Sequence, residues 1–389
     1  MKENEKRREI HTYAIREFLY RFSVATSRLI LPRDPPLGRT RGFATRFVKF
    51  CFIRSLHTHF VQTKGPIPII TTAYYFRQHM YSLVPRHVRE DMAWMADIGT
   101  TSVSLAVLEQ DFDACPRNIE IVAKEAERVG ISLYATPSRW GGRTAGAPKV
   151  PSYFTATHPE TWVLDKQGKP IYTTPAGPAS SIHHPATFEF FCRSVERLLT
   201  LWPVAGIIWD EPKLMHVEDY SPAARVAAPP NADLRWHQDT FARFFDRVGA
   251  HARSIKPDVT LSMFMPAMTT GYLVERFAAI ENLDYFGCDG RPWSIADSQR
   301  LEGRDKALLG QAERFIAAAK QNGKGGLMLL ENHNMPTPGY EVMGERLPDV
   351  LRLGAEHILY YYYPRNNEDP DRQMAILGAG LKAHLSPSS

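Results

Sequence analysis

Apolar and polar positions change period repeatedly along this chain. Short β-branched or aromatic runs stand at 67–76, 101–108, 131–136, 204–211, 259–265, 283–289, 326–332 and 357–363. Such runs, bounded by turn residues, read as buried strands. Between them the apolar residues recur with helical spacing, at 86–98, 117–129, 185–201, 232–255, 271–280, 303–322, 339–353 and 369–384. Gly99, Gly130, Gly323 and Gly354 follow helical stretches, where a helix is expected to stop. Two connections, 137–184 and 212–231, are too long for simple turns and are expected to be loops that shape a site.

Strand and helix alternate eight times, the count of a closed parallel (β/α)8 (TIM) barrel in the α/β class. No G-x-G-x-x-G or P-loop follows any strand, which argues against an open nucleotide-binding sheet. The expected organisation is a catalytic barrel over 66–389 preceded by a basic extension over 1–65.

Charge changes the picture only at the N-terminus. The net charge is +5, but residues 1–65 hold 14 Lys/Arg against 5 Asp/Glu, giving +9 there and 5 − 9 = −4 elsewhere. The basic balance therefore belongs to the extension, and no nucleic-acid partner follows from it. The extension has no compact apolar stretch with a small-residue cleavage site, which argues against a secretory signal. It reads as a poorly ordered, non-catalytic segment in which 13–30 could form a basic amphipathic helix. No apolar run reaches the eighteen or so residues of a membrane span. Cys51, Cys115, Cys192 and Cys288 are far apart with no metal-site spacing, so a reducing, cytoplasmic setting is expected. Homo-oligomerisation is left open.

The carboxyl ends of barrel strands form the face on which active sites sit. Reading those ends in order gives Tyr74 to Arg77, Glu109 to Asp111, Ser138 to Trp140, Asp210-Glu211, Met265-Pro266, Asp289 to Trp293, Glu331 to Asn334, and Tyr361 to Arg365. Carboxylates do acid–base and nucleophilic work and aromatics stack on sugar faces, so this rim points to a carbohydrate substrate and needs no cofactor.

The Asp210-Glu211-Pro212 end of strand four and Glu331 closing strand seven resemble the large clan of retaining glycoside hydrolases on (β/α)8 barrels. In that clan the strand-four motif is Asn-Glu-Pro, its Glu is the acid/base, and a Glu closing strand seven is the nucleophile. The resemblance implies Glu211 as acid/base and Glu331 as nucleophile, with carboxyl groups about 5–5.5 Å apart. Asp210, Asp289, Arg77 and Asn332 would hold sugar hydroxyls, with His333 beside them. Trp140, Trp293 and Tyr362 would offer stacking surfaces. This chain departs from the clan in three places: Asp210 replaces the Asn, Asp289 stands where a strand-six Tyr or His is usual, and tyrosines replace the strand-eight Trp.

Three other readings compete. Asp210 as nucleophile and Asp289 as acid/base would match the α-galactosidase-like clan. Neighbouring residues on a regular strand point to opposite sides, so Asp210 and Glu211 share the barrel axis only if the backbone is reoriented between them. A sugar isomerase or epimerase would use Glu211, Asp289, Glu331 and His333 to hold Mg²⁺ or Mn²⁺. A non-catalytic carbohydrate-binding barrel would keep the aromatics without a close carboxylate pair.

Overall fold

The computed structural model describes residues 69–79, 83–146, 148–173, 177–269, 271–292 and 308–385. The expected extension over 1–65 and the stacking candidate Trp293 lie outside the described residues.

Eight parallel strands close into a barrel in chain order, the first pairing with both the second and the last. They are β1 (Ile70–Tyr75), β2 (Ser102–Val107), β3 (Ser132–Pro137), β4 (Val204–Asp210), β5 (Thr260–Pro266), β6 (Tyr285–Gly290), β7 (Gly325–Leu330) and β8 (His357–Tyr361). The principal helices between and after them are α1 (Pro85–Asp97), α2 (Pro116–Glu127), α3 (Pro185–Leu201), α4 (Leu234–Ile255), α5 (Tyr272–Ala278), α6 (Ala312–Gln321), α7 (Pro338–Leu351) and α8 (Pro370–Leu385). The eight-unit barrel read from the sequence is the architecture observed. Several strands end one or two residues early, so Glu211, Glu331 and Tyr362 stand just beyond strands rather than in them.

The strands are apolar almost throughout because both of their faces are buried. Tyr74, Ala106, Tyr134, Ile208, Phe264, Tyr285, Leu327, Leu329 and Leu359 fill the barrel interior. The intervening residues, among them Tyr75, Leu105, Trp209, Met263, Phe286, Met328 and Tyr360, pack outward against the helices. Towards the amino-terminal ends the interior is polar but paired. Thr72 bonds Ser102 at 2.5 Å and His357 Nε2 at 2.8 Å, and Ser262 bonds His357 Nδ1 at 3.1 Å. Burial pushes the His357 imidazole down to about 3, so it stays neutral, with one ring nitrogen donating and one accepting.

Local chemistry sets the helix ends. Asp233 caps α4 by accepting the Trp236 N–H at 2.9 Å. Gly99 and Gly130 stop the chain after α1 and α2 with φ of +85° and +75°, a region that Cβ-bearing residues enter at a cost.

The long connections are more ordered than the loops expected. The one after β3 contains a short helix, Tyr153–Thr157, and antiparallel bridges Trp162–Ser180, Leu164–Pro170 and Tyr172–Pro178. Glu109, at the end of β2, fastens it. Its Oε1 accepts from Gly141 N–H at 2.9 Å and Ser152 Oγ at 2.7 Å, and its Oε2 accepts from Phe154 N–H at 2.6 Å. The connection after β4 carries the short helix Pro222–Ala227, capped by Ser221.

Gly287 in β6 tests how tightly the barrel closes. A Cβ placed there would lie 1.7 Å from the Leu327 carbonyl oxygen of β7, a backbone atom that cannot move without opening the ladder. Gly287→Ala is expected to cost about 3 kcal/mol or more, seen as a large fall in the Tm of thermal unfolding.

Candidate active site

The strand alternation decides which rim residues enter the barrel mouth. On β4, Asp210 follows Ile208 inward; on β6, Asp289 follows Tyr285 and Gly287; on β7, Glu331 follows Leu327 and Leu329; on β8, Tyr361 follows Leu359. These side chains meet at a cavity of about 610 Å³ lined by Asp210, Glu211, Asp289, Glu331, Phe76, His333 and Tyr361.

Glu211 is out of phase with Asp210 and reaches the same cavity by a backbone distortion. Its φ is +34°, in the left-handed region, which costs a residue with a Cβ roughly 1–2 kcal/mol. The surroundings hold it there. Glu211 N–H donates to the Phe264 carbonyl at 3.1 Å, Lys213 N–H donates to the Arg143 carbonyl at 2.7 Å, and the Lys213 ammonium pairs with the Glu211 carboxylate. Ala145 N–H donates to the Asp210 carbonyl at 2.8 Å, so the connection after β3 is tied to the end of β4.

The acids differ in their surroundings. Asp210 is buried and accepts the Tyr74 hydroxyl at 3.0 Å. Burial, then the neighbouring Glu211 charge, raises Asp210 to about 7, against the opposing pull of Lys213, the Tyr74 bond and Arg139. Asp289 Oδ1 accepts the Ala267 N–H at 3.2 Å. Glu331 is buried, and its Oε2 has no hydrogen-bond partner among the described residues. A buried carboxylate oxygen without a donor beside a cavity is an unusual and costly arrangement, and a bound donor relieves it. The Tyr361 hydroxyl lies among all four acids: burial first, then Asp210, Glu331, Asp289 and Glu211, raise its pKa well above the ordinary tyrosine value.

A basic wall faces these acids. Arg139, Lys149, Lys213 and Arg365 all line the cavity. Arg139 is buried, with φ of +62°, and its guanidinium donates to the carbonyls of Pro148, at 2.9 Å, and of Gly146.

Of the residues expected at the site, Asp210, Glu211, Asp289, Glu331 and His333 line the cavity, and His333 sits edge-on to Tyr361 with ring centroids 5.2 Å apart. Four others face elsewhere. Arg77 and Tyr362 both bind Asp91 of α1, Arg77 Nε at 2.6 Å and the Tyr362 hydroxyl at 2.8 Å, where the Tyr75 hydroxyl also donates at 2.6 Å. They share the outward phase of Tyr75 and Tyr360, which is why they join the helix layer rather than the cavity. Trp140 is fully buried among Phe112, Phe190 and Phe191 and donates its indole N–H to the Val107 carbonyl at 2.9 Å, so it offers no stacking face. Asn332 ties β7 to β8: its side chain bonds the Tyr361 carbonyl and N–H, each at 2.9 Å.

Phe76, Arg139, Tyr361 and Arg365 fall in the strand-end stretches read from the sequence but carry no assigned site role there, and Lys149 and Lys213 fall outside those stretches. Alternation alone would have chosen Tyr361 over Tyr362. The loop cations carry no comparable signal. Among the described residues no group of three His, Cys, Asp or Glu is arranged to hold a metal ion, so the isomerase reading gains no support from donor geometry. No helix among them is long and apolar enough to cross a membrane.

No family model and no curated protein sequence matches this chain. Solved structures do. A β-galactosidase from the psychrophilic Marinomonas ef1 is 13% identical with a TM-score of 0.56 over 81% of this chain and 58% of that one. The α-L-fucosidase isoenzyme 2 of Paenibacillus thiaminolyticus is 12% identical, with a TM-score of 0.56 over 82% of this chain and 49% of that one. The catalytic domain of β-amylase from Paenibacillus polymyxa is 11% identical, with a TM-score of 0.58 over 83% of this chain and all (100%) of that one. The chain thus spans about half to three-fifths of the length of the first two. At these identities the likeness establishes the barrel fold.

Adjacent tyrosines on opposite sides of the sheet give a direct check. Tyr362→Phe is expected to lower stability by about 1 kcal/mol through loss of the bond to Asp91, without changing ligand binding in the cavity. Tyr361→Phe is expected to keep the wild-type Tm and weaken cavity binding. Thermal unfolding and sugar titration of both variants separate the two effects.

Proposed function

We propose that this chain is a glycoside hydrolase acting with retention, in which Glu331 is the nucleophile and Glu211 the acid/base. The observation that carries the reading is the convergence of Glu211 and Glu331, from β4 and β7, on one cavity, with a Glu331 oxygen that has no partner among the described residues. The solved structures that share the barrel include a β-galactosidase, a fucosidase and a β-amylase, which supports the coarse assignment.

In this scheme Glu331 attacks the anomeric carbon as the leaving oxygen takes a proton from Glu211. Water, deprotonated by Glu211, then releases the sugar from the glycosyl-enzyme ester. Two adjacent carboxyls in a desolvated site share a proton more easily than they both ionise. Asp210, raised to about 7, keeps that proton in the pair near neutrality, and in the reacting complex it sits on Glu211, from which the leaving oxygen takes it. Tyr361 and Asp289 are placed to bond sugar hydroxyls.

A second reading, with Asp210 as nucleophile and Asp289 as acid/base, is favoured by strand alternation, since both enter the mouth without distortion. Azide rescue on activated aryl glycosides separates the two. Glu331→Ala and Glu211→Ala should each lose about 10²–10⁴-fold in kcat. Azide should then yield an inverted glycosyl azide from the first variant and a retained one from the second. The same two products from Asp210→Ala and Asp289→Ala would establish the second reading instead. Full hydrolysis by Glu211→Gln and Glu331→Gln would discard the first.

The pH dependence follows from Asp210. On the proposed scheme kcat/KM should fall as pH rises through about 7, where the pair loses its proton, and Asp210→Asn should displace that limb. A carboxyl whose folded pKa is raised adds stability that is fully present below its ordinary value of 3.8 and is lost as pH rises through about 7. A series of Tm values from pH 4 to 8, roughly that window, should therefore decline less steeply in Asp210→Asn than in the wild type.

A further inference from the structure

The acids of the cavity come from β4, β6 and β7. From the side of β1 and β2, among the described residues, only Phe76 and His79 line it, and only His79 has a polar side chain. His79 ends a single short helical turn, Arg77–His79, that is fastened at three points. The His79 N–H donates to the Phe76 carbonyl at 3.2 Å, the Gln78 amide donates to the Ala106 carbonyl at 3.2 Å, and Asn118 donates to the Gln78 carbonyl at 2.7 Å. The ring is fixed as well, with Nε2 3.2 Å from Asp111 Oδ2. Asp111 is buried and is itself held by the Leu108 N–H, at 2.8 Å on Oδ2, and by the Cys115 thiol, at 3.3 Å on Oδ1. A carboxylate only accepts, so this contact needs a proton on Nε2. The Gln78 amide nitrogen, 3.3 Å from Nε2, is then a neighbour and not a donor to it. The Nε2–H tautomer leaves Nδ1 as an acceptor, and Nδ1 has no hydrogen-bond partner among the described residues.

We propose that His79 accepts a hydrogen bond from one substrate hydroxyl through Nδ1, on the β1 and β2 side of the cavity, and that Asp111 sets its orientation. The saccharide rests on the glycosidase reading; the hydroxyl contact rests on the His79–Asp111 pair. A pyranose carries hydroxyls around its whole ring, and the acids serve those turned towards β4, β6 and β7. Without His79, a hydroxyl turned towards β1 would meet Phe76 and lose its water without gaining a partner, which is costly. With His79 in place, a sugar that lacks this hydroxyl, or carries it in the other configuration, leaves Nδ1 desolvated and unpaired. A site built to bond a hydroxyl rejects analogues without it, so His79 helps to set which hydroxyl pattern is accepted.

The test is a mutant cycle between His79 and single sugar hydroxyls, run on the full chain. Aryl α- and β-glycosides of galactose, glucose, mannose and fucose give kcat/KM, and the free sugars give Kd by calorimetric titration. Each is measured beside its singly deoxygenated analogues. An Asn amide reaches the place of Nδ1 and a Gln amide that of Nε2. His79→Gln therefore keeps the bond to Asp111 and loses the substrate contact, and His79→Asn does the reverse. With the sugar that the wild type prefers, His79→Ala and His79→Gln should each weaken Kd and kcat/KM about tenfold, and His79→Asn about twofold or less. With one particular deoxy analogue of that sugar, the wild type should drop to the level of His79→Ala, and the variant should lose nothing further. Asp111→Asn should show a smaller loss confined to the same hydroxyl. Wild-type behaviour of His79→Gln overturns the proposal, as does a loss in His79→Ala that adds to the loss from every deoxy analogue, or binding of none of these sugars. Coupling in Kd without hydrolysis counts against the glycosidase reading alone, and hydrolysis without coupling counts against this contact alone.

Discussion

Two consecutive side chains on a strand cannot share a face, and the way this chain leaves β4 sets that rule aside. Asp210 enters the barrel in phase with Ile208. Glu211 joins it only because its backbone turns into the left-handed region, at a cost that the Phe264 carbonyl, the Arg143 carbonyl and Lys213 help to offset. The pair of adjacent acids follows from that one local distortion, and the Glu211 charge it brings in adds to burial in raising the pKa of Asp210.

The barrel itself was legible because its signal is repeated. Eight apolar runs alternating with eight helical patterns leave few other topologies, and both buried faces of each strand enforce the pattern. The acids at 289 and 331 were legible for the same reason: each closes a run whose phase can be counted. Counting phase was also where the reading of single residues failed. Tyr362 was preferred to Tyr361, and Arg77 was placed with the sugar, although each is two residues from an outward-facing tyrosine, Tyr360 and Tyr75. The sequence offers Trp140 as a stacking face, whereas the connection folds back and buries it against Phe191. The order within 137–184 had no period to reveal it, since its geometry is set by distant partners such as Glu109. The same is true of Arg139 and Lys149, whose positions depend on that fold.

The electrostatics of the cavity rest on a division of labour between regular and irregular structure. Strand ends hold acids where water is scarce, which raises the proton affinity of Asp210. Connections supply the cations, from buried Arg139 to exposed Lys149 and Arg365. On the proposed reading, the first set acts on the glycosidic bond.

The anchoring of the connection after β3 by Glu109 has an evolutionary consequence. That segment is fastened at its own base by Glu109, through contacts with Gly141, Ser152 and Phe154, and is tied to the end of β4 at Arg143 and Ala145. Mutations accumulating in its outer part, away from Arg143 and Ala145, can therefore reshape the segment while the end of β4 keeps its place. A lineage built on this scaffold has room to vary that segment before the barrel mouth is disturbed.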